Sequence, residues 1–585
     1  MCRFARDCLH KMNSLTTKLE EVLGPGTGEL CMRFGLNSGP VTAGVLRGEK
    51  SRFQLFGDTV NTAARMESNG VTNRIQLSQT TADELKKAGK EHWLEPRKDL
   101  IHAKGKGDLQ TYWLHLKDDK RTSSVHEDAQ DLDDVPTATD SPSWDMNYDG
   151  MNLRAVDRAK ADAKSKRMVG WTTDILSQLL KQIVARRNAC PSKEPKCDND
   201  SAVDCLEEVI GRGESTVLEE VTEFVPLPDF DRDLAERVGD FHQVQLDPIL
   251  IDQLRLYVSD VASMYRDNPF HNMEHASHVT MSISKLLGRI VSADVAPGDK
   301  DYGQSHILAK LHNRTFGLTS DPLVQFAAVF SGLIHDVDHR GVPNFILANE
   351  EKEMSAMYKG RSIAEQNSVD IAWERLMEPD LKDLRRCIYT TPAELRRFRQ
   401  TVVNTIMATD IFDKGCAEIR KRRWDKCFHN NNNNSSSRHS TSSSSSVELD
   451  SILDEENTHR KATIVIEHLI QASDVAHTMQ HWSIYQKWNQ RLFEEMYLAY
   501  RTGRSSKNPA ENWYVGELGF FDNYIIPLAM KLKECGVFGV SSDEYLNYAI
   551  ANRQEWEIRG KDLVESAVER LDAQGEATND NARAA

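Results

Sequence analysis

The chain has 585 residues, 28% of them charged, and 73 basic against 89 acidic side chains leave a formal net charge of −16. That balance argues against a protein whose main task is gripping a phosphate backbone, which needs a basic face, so no nucleic-acid partner is expected. No apolar run of roughly 18 residues is present to span a bilayer, the N-terminus lacks a signal-peptide pattern, and ten cysteines without zinc-knuckle spacing suggest reduced thiols in the cytoplasm.

Residues 1–116 read as mixed α/β. Asn13 to Leu23 has helical spacing, LCMRFGL at 30–36 is strand-like, and glycines punctuate the residues after it. From Lys117 to about Lys166 the chain is rich in Asp, Ser, Thr and Lys with few aliphatics, which predicts a flexible linker. Val169 to Arg187 then has the spacing of an amphipathic helix with a basic end, expected to pack or to meet a partner. A further connecting stretch carries Cys190, Cys197 and Cys205, so that 117–224 as a whole is read as a linker with a helix in it.

From about 240 to 570 the pattern is almost wholly helical, with apolar residues repeating at three and four in Ile249–Met264 and Leu323–Leu333. An Asn/Ser tract at 429–446 has no apolar surface to offset the entropy of ordering and is expected to be an exposed loop. Residues 571–585 are expected to form a loose tail. The expected organisation is therefore an α+β domain at 1–116, the linker, and an all-α domain at 225–570.

Two histidine pairs stand out in the helical half. His271 and His275 lie in FHNMEHASHV, and His335 and His339 lie in LIHDVDHRGVPN beside Asp336. Residues four apart on a helix share a face, so each pair is expected to aim two imidazoles at one point. Imidazoles with an adjacent carboxylate suit zinc, or zinc paired with magnesium. The apolar run Val324–Ile334 should bury its helix and deliver His335 and Asp336 at the edge of the core.

These two motifs resemble those of the class I 3′,5′-cyclic nucleotide phosphodiesterases, over roughly 225–560. The resemblance implies an HD-type helical domain that hydrolyses cGMP or cAMP to the 5′-monophosphate with two divalent metals, zinc plus magnesium or manganese. By that resemblance His275, His335, Asp336 and Asp474 bind the tighter metal and Asp336 bridges to the second. His339 and Glu365 orient water on that second metal, and His271 is the general acid, with Glu511 or Glu365 as its orienting carboxylate. The family's Q-x-G-F-x-D stretch stands here as ELGFFD, so Phe520 would clamp the purine and Glu517 replaces the usual glutamine. An ionised carboxylate only accepts hydrogen bonds, which should favour the two adjacent donors of guanine unless Glu517 is protonated. The alternatives are another metal phosphohydrolase of the wider His-Asp superfamily, or a catalytically silent signalling scaffold.

The first domain resembles the class III nucleotide cyclases, nearest the guanylate type, in RFGLNSGPVTAGV (33–45), LFGDTVNTAARMES (55–68) and KGKGDLQTYWL (104–114). The resemblance implies that Asn61 orients the ribose, that Arg65 stabilises charge on the triphosphate, and that Lys106, with Lys104 close by, contacts phosphate. Gln54, where guanylate cyclases usually have Cys, leaves the base open. It also implies a homodimer through this domain. The family's metal-binding aspartate pair has no counterpart, so this domain is not expected to cyclise a nucleotide alone. A start truncated within the domain is expected, with a membrane tether if an upstream receptor region exists.

Overall fold

Short apolar triplets and quartets in the first hundred residues pair as strands rather than standing alone. In the computed structural model, the described residues are 1–23, 31–46, 52–56, 58–97, 101–103, 107–115, 150–190, 197–211, 215–290, 304–429, 444–538 and 541–584. They form two compact units, Met1–Ala161 and Asp162–Ala585.

The first unit is α+β. Its strands are β1 (Phe34–Leu36), β2 (Thr42–Leu46), β3 (Arg52–Phe56), β4 (Ile75–Ser78), β5 (Leu94–Pro96), β6 (Ile101–Ala103), β7 (Gly107–Leu109) and β8 (Thr111–Leu114). Four of them make a sheet in the order β1-β4-β8-β5; β2–β3 and β6–β7 are separate pairs. β1 runs parallel to β4, which demands a crossover, and the helix Asp58–Ser68 lies in it. Ser78 ends β4 and caps the next helix, Gln79–Lys87, by accepting from the Thr81 N–H. The sheet buries Ile75, Leu77 and Tyr112 against Ala5 of the Cys2–Leu23 helix. That helix is longer than the predicted Asn13–Leu23, and the predicted strand at 30–36 shortens to its last three residues.

The second unit is helical around one large core that includes Leu176, Val261, Ile283, Phe330, Val402, Ile470 and Trp556. The predicted helices at Ile249–Met264 and Leu323–Leu333 appear as Pro248–Met264 and Pro322–Ile334, each with an Asp before a proline that opens it. In Pro322–Ile334 every residue from Leu323 onward except Gln325 is buried, so the helix is a core element.

Two expectations about chain organisation change. The amphipathic stretch at Val169–Arg187 belongs to a longer helix, Gly150–Ala189, that begins inside the predicted flexible segment. Described parts of the predicted linker from Met168 onward contribute to the helical core: Leu176, Leu180, Val203 and Val217 are buried there. Arg187 donates to the carbonyls of Cys387 and Ile388, Glu207 accepts from Arg385 and Tyr389, and Glu220 pairs with Arg399 through both oxygens. Spacing along the chain does not show that Arg187, Glu207 and Glu220 each have a tertiary partner. The last helix runs Ser541–Ala584, through the predicted tail, and Leu571 is buried against Phe493 and Tyr497. Most of the Asn/Ser tract, 430–443, lies outside the described residues.

Candidate metal centre

The helix Met273–Gly288 opens with Asn272 accepting from the His275 N–H, which fixes the first turn and turns His275 inward. This helix packs closely on Pro322–Ile334: a Cβ at Gly332 would meet Ile283 Cδ1 at 2.8 Å and Thr280 Cα at 3.2 Å. Only glycine allows that approach, and it brings the His275 and His335 rings within 5.3 Å of each other. His335 caps the second helix, and its Nδ1 lies 3.0 Å from the Gly332 carbonyl oxygen, so Nδ1 donates there and Nε2 faces the carboxylates, which outweigh burial and raise the imidazole well above its ordinary value; a bound cation would take Nε2 in its deprotonated form. Asp474 ends the helix Ser444–Asp474.

Four ligand atoms converge there, all within 4.8 Å of one another: one each from His275, His335, Asp336 and Asp474. Asp474 Oδ1 lies 3.0 Å from His275 Nε2, and Asp336 Oδ2 lies 3.1 Å from His335 Nε2. Burial works to raise both carboxyls and is outweighed: His335, with His271 and His339 beyond it, holds Asp336 well below the usual carboxylate range, and His275 with His335 does the same for Asp474. His335 Nε2 is fully buried and, although carboxylate oxygens lie 3.1 and 3.6 Å away, makes no well-aligned hydrogen bond to either. A buried donor set of two imidazoles and two ionised carboxylates, one nitrogen of it unsatisfied, fits a divalent cation.

A second group, His271, His339 and Glu495, lies beside the first. Glu495 grips the start of the motif: one oxygen accepts from the backbone N–H groups of Phe270 and His271, and the other from His271 Nδ1 at 2.5 Å. Burial would depress His271, but the Glu495 charge and hydrogen bond outweigh it and raise the imidazole to about 9. His339 packs against His271, the rings tilted by 32° with centroids 3.9 Å apart. Burial, then the His271 charge, push His339 down to about 4, and its Nδ1 accepts from the Gly341 N–H, leaving Nε2 as the protonated nitrogen.

The route by which the histidines converge differs from the i, i+4 expectation. His271 precedes the helix N-cap, and His339 lies in a turn beyond the helix that His335 ends, where Asp338 has φ of 61°. Each sequence pair is therefore divided between the two groups, by loop geometry and not by a shared helix face. The orienting carboxylate of His271 is also neither of those expected. Glu511 is exposed in the short turn Pro509–Glu511, and Glu365 takes the Asn344 amide at 2.9 Å. Burial and the nearby Asp410 carboxylate raise Glu365 to about 8. Glu495 was findable. In the helix Trp482–Arg501, Trp488, Leu492, Glu495 and Ala499 recur at three and four, which places one carboxylate on the buried stripe.

Glu517 lies in the helix Trp513–Phe520 and is buried. Tyr485 donates to it at 2.7 Å, and burial raises its carboxyl to about 7. Phe520 stacks on Tyr524 at 5.3 Å between centroids, and burial, then the Asp474 charge, raise the Tyr524 hydroxyl. In the first unit Asn61 and Arg65 share the helix Asp58–Ser68, four residues apart, while Lys104 and Lys106 lie outside the described residues. Among the described residues, no group of three or more potential metal ligands occurs in that unit.

Residues 270–536 match the family model for 3′5′-cyclic nucleotide phosphodiesterases. That matched segment lies wholly within the helical unit and includes both ligand groups. Residues 3–116 match the adenylate and guanylate cyclase catalytic domain, so one chain carries segments similar to both families. Among curated proteins the chain is similar to soluble guanylate cyclase 89Da of Drosophila melanogaster, 49% identical over 87 residues, which is 15% of this chain and 13% of that protein. Guanylate cyclase soluble subunit beta-2 of Rattus norvegicus is 47% identical over 96 residues, 16% of this chain and 14% of that one. Atrial natriuretic peptide receptor 2 of Homo sapiens is 51% identical over 86 residues, 15% of this chain and 8% of the receptor. The chain thus spans a small fraction of the length of these relatives. Among solved structures, the phosphodiesterase domain of Salpingoeca rosetta rhodopsin phosphodiesterase is 18% identical, with 62% of this chain and 97% of that one covered and a TM-score of 0.39. Among the described residues no helix is long and apolar enough to cross a membrane.

Proposed function

We propose that the helical unit hydrolyses a 3′,5′-cyclic nucleotide to the 5′-monophosphate, in cyclic-nucleotide signalling. The observation that carries this reading is the juxtaposition of the four-ligand group, with its unsatisfied His335 Nε2, and the His271–Glu495 pair. His275, His335, Asp336 and Asp474 would hold divalent ions, zinc with magnesium or manganese. Bound there, the ions would neutralise the phosphodiester and lower the pKa of an attacking water.

The remaining work falls to the protein's own side chains. His271, kept as an imidazolium by Glu495, holds a proton at Nε2 for the departing 3′ oxygen; without it the leaving group would be an alkoxide. His339 is neutral, so its Nε2–H can orient water without competing for that proton. Asn344 bridges Glu365 and Asp410, which share a polar pocket where Glu365 is held protonated and can donate. Phe520 offers an aromatic face to the base and Glu517 an edge. With its carboxyl near 7, Glu517 changes from donor to pure acceptor across neutral pH, and preference for cGMP should follow its ionised form.

In the cyclase-family unit, Asn61, Arg65 and Lys106 are proposed as nucleotide contacts, and a homodimer is proposed through this unit. Turnover by the full chain of cAMP and cGMP separately, with magnesium or manganese, tests the phosphodiesterase reading. Release of the 5′-monophosphate, abolished in Asp336→Ala, is expected. A folded, metal-loaded chain that hydrolyses neither nucleotide would move the reading to a scaffold or another phosphohydrolase.

A further inference from the structure

Beside the base-contacting helix lies a cavity of about 280 Å³ that the chemistry above does not use. It is a half-open cleft between the helices Trp482–Arg501, Trp513–Phe520 and Ser541–Ala584. None of its lining residues belongs to either ligand group. Phe493, Trp513 and Trp556 form its aromatic walls, with Phe493 and Trp513 meeting edge to face at 5.2 Å between centroids. Arg570, on an exposed turn of the last helix, and Gln490, turned so that its amide oxygen meets that guanidinium, supply polar groups on the same lining. The buried Asn489 supplies a carboxamide.

Aromatic walls with a guanidinium favour a flat ring bearing a negative charge. A volume of this order holds a bicyclic ring and a small acidic group, not a full nucleotide with its metal ions. We infer that this cavity is a second binding site, for a small planar aromatic carboxylate.

The site has a physical connection to Glu517. Trp513 Nε1 donates to Asn489 Oδ1 at 3.3 Å, Asn489 Nδ2 donates to the Tyr485 hydroxyl at 3.3 Å, and Tyr485 donates to Glu517 at 2.7 Å. The first two bonds are long, so a ligand that competes for the Trp513 N–H or the Asn489 amide readily alters the third. Occupancy is thereby transmitted to the group that meets the base. This second step rests on the role proposed for Glu517; binding itself does not.

Calorimetric titration of the full chain with 2-naphthoate tests binding independently of any turnover. One saturable site is expected, with Kd of about 0.01–1 mM for a ligand of a dozen heavy atoms. Ala567 is a buried wall residue, and Ala567→Trp should abolish binding by filling the space. Because that variant risks misfolding, Arg570→Glu at the exposed position is the second probe. It should weaken 2-naphthoate at least about tenfold and strengthen 2-naphthylmethylammonium, as loss and reversal of a charge-assisted contact require. No saturable binding, or binding indifferent to charge at 570, would overturn the site. A cGMP/cAMP rate ratio that 2-naphthoate shifts in the parent chain and not in Arg570→Glu supports the coupling; a ratio unmoved at saturation overturns the coupling.

Discussion

Glu495 makes three hydrogen bonds to two consecutive residues, and its charge is what allows a buried imidazole to stay protonated at neutral pH. In Glu495→Gln the burial of His271 is no longer outweighed, so its pKa falls. Activity that needs the imidazolium is lost as pH rises through that pKa. The alkaline limb of kcat/KM should therefore move to lower pH, by about one to two units, with far less change on the acid side. An unshifted limb would remove His271 from the role of acid. Glu517 titrates in the opposite functional sense. Its raised carboxyl, near 7, means that the acceptor form grows as pH rises through neutrality. The cGMP/cAMP rate ratio should climb between about pH 6 and 8 in the parent chain and stay flat in Glu517→Gln, the full swing being worth about 1–3 kcal/mol. Glu517 was legible as a departure from the motif, but its protonation was not, because burial and the Tyr485 hydroxyl come from distant positions in the chain.

At the scale of elements, the site depends on one tight helix crossing. Gly332→Ala puts a methyl group against the Thr280 backbone, which cannot rotate away, so Met273–Gly288 and Pro322–Ile334 must separate. Overpacking of this kind costs about 1–3 kcal/mol, and here it also parts His275 from His335. The expected result is a raised metal requirement for hydrolysis with the chain still folded; an unaltered metal titration would show that the crossing is slack. The long helix Gly150–Ala189 gives a separate test. Leu180 is fully buried in the helical core, so Leu180→Ala should lower resistance to urea by about 2–5 kcal/mol. A surface-linker role for this segment predicts no loss. Its periodicity was readable from Val169 onward, but its burial was not, because amphipathic helices look alike whether they cover a core or await a partner.

Over the whole molecule, a domain with a cation-ready donor set is joined to a cyclase-family domain in whose described residues no such set occurs. The expected balance of activities is one-sided. The full chain supplied with GTP or ATP and magnesium or manganese should accumulate no cyclic nucleotide, even when Asp336→Ala removes hydrolysis that would mask it. Accumulation in that variant would show that the first unit completes a catalytic site by another route. A chelator should silence hydrolysis in the parent chain, and added manganese or zinc should restore it.

The sequence alone determined the residue types: the two histidine motifs with Asp336 and the helical period that makes Pro322–Ile334 a core element. These are local properties, carried by spacing along the chain, while Asp474 and Phe520 stood out only through the resemblance. Only the tertiary structure decided which of those residues act together. The turn at Asp338 and the N-cap at Asn272 divide each histidine pair between two groups, and Glu495 arrives from more than two hundred residues away to hold His271. Burial settled the rest, because the charge state of His271, His339, Glu365 and Glu517 is set by the neighbours that folding brings, not by the residues adjoining them in the chain.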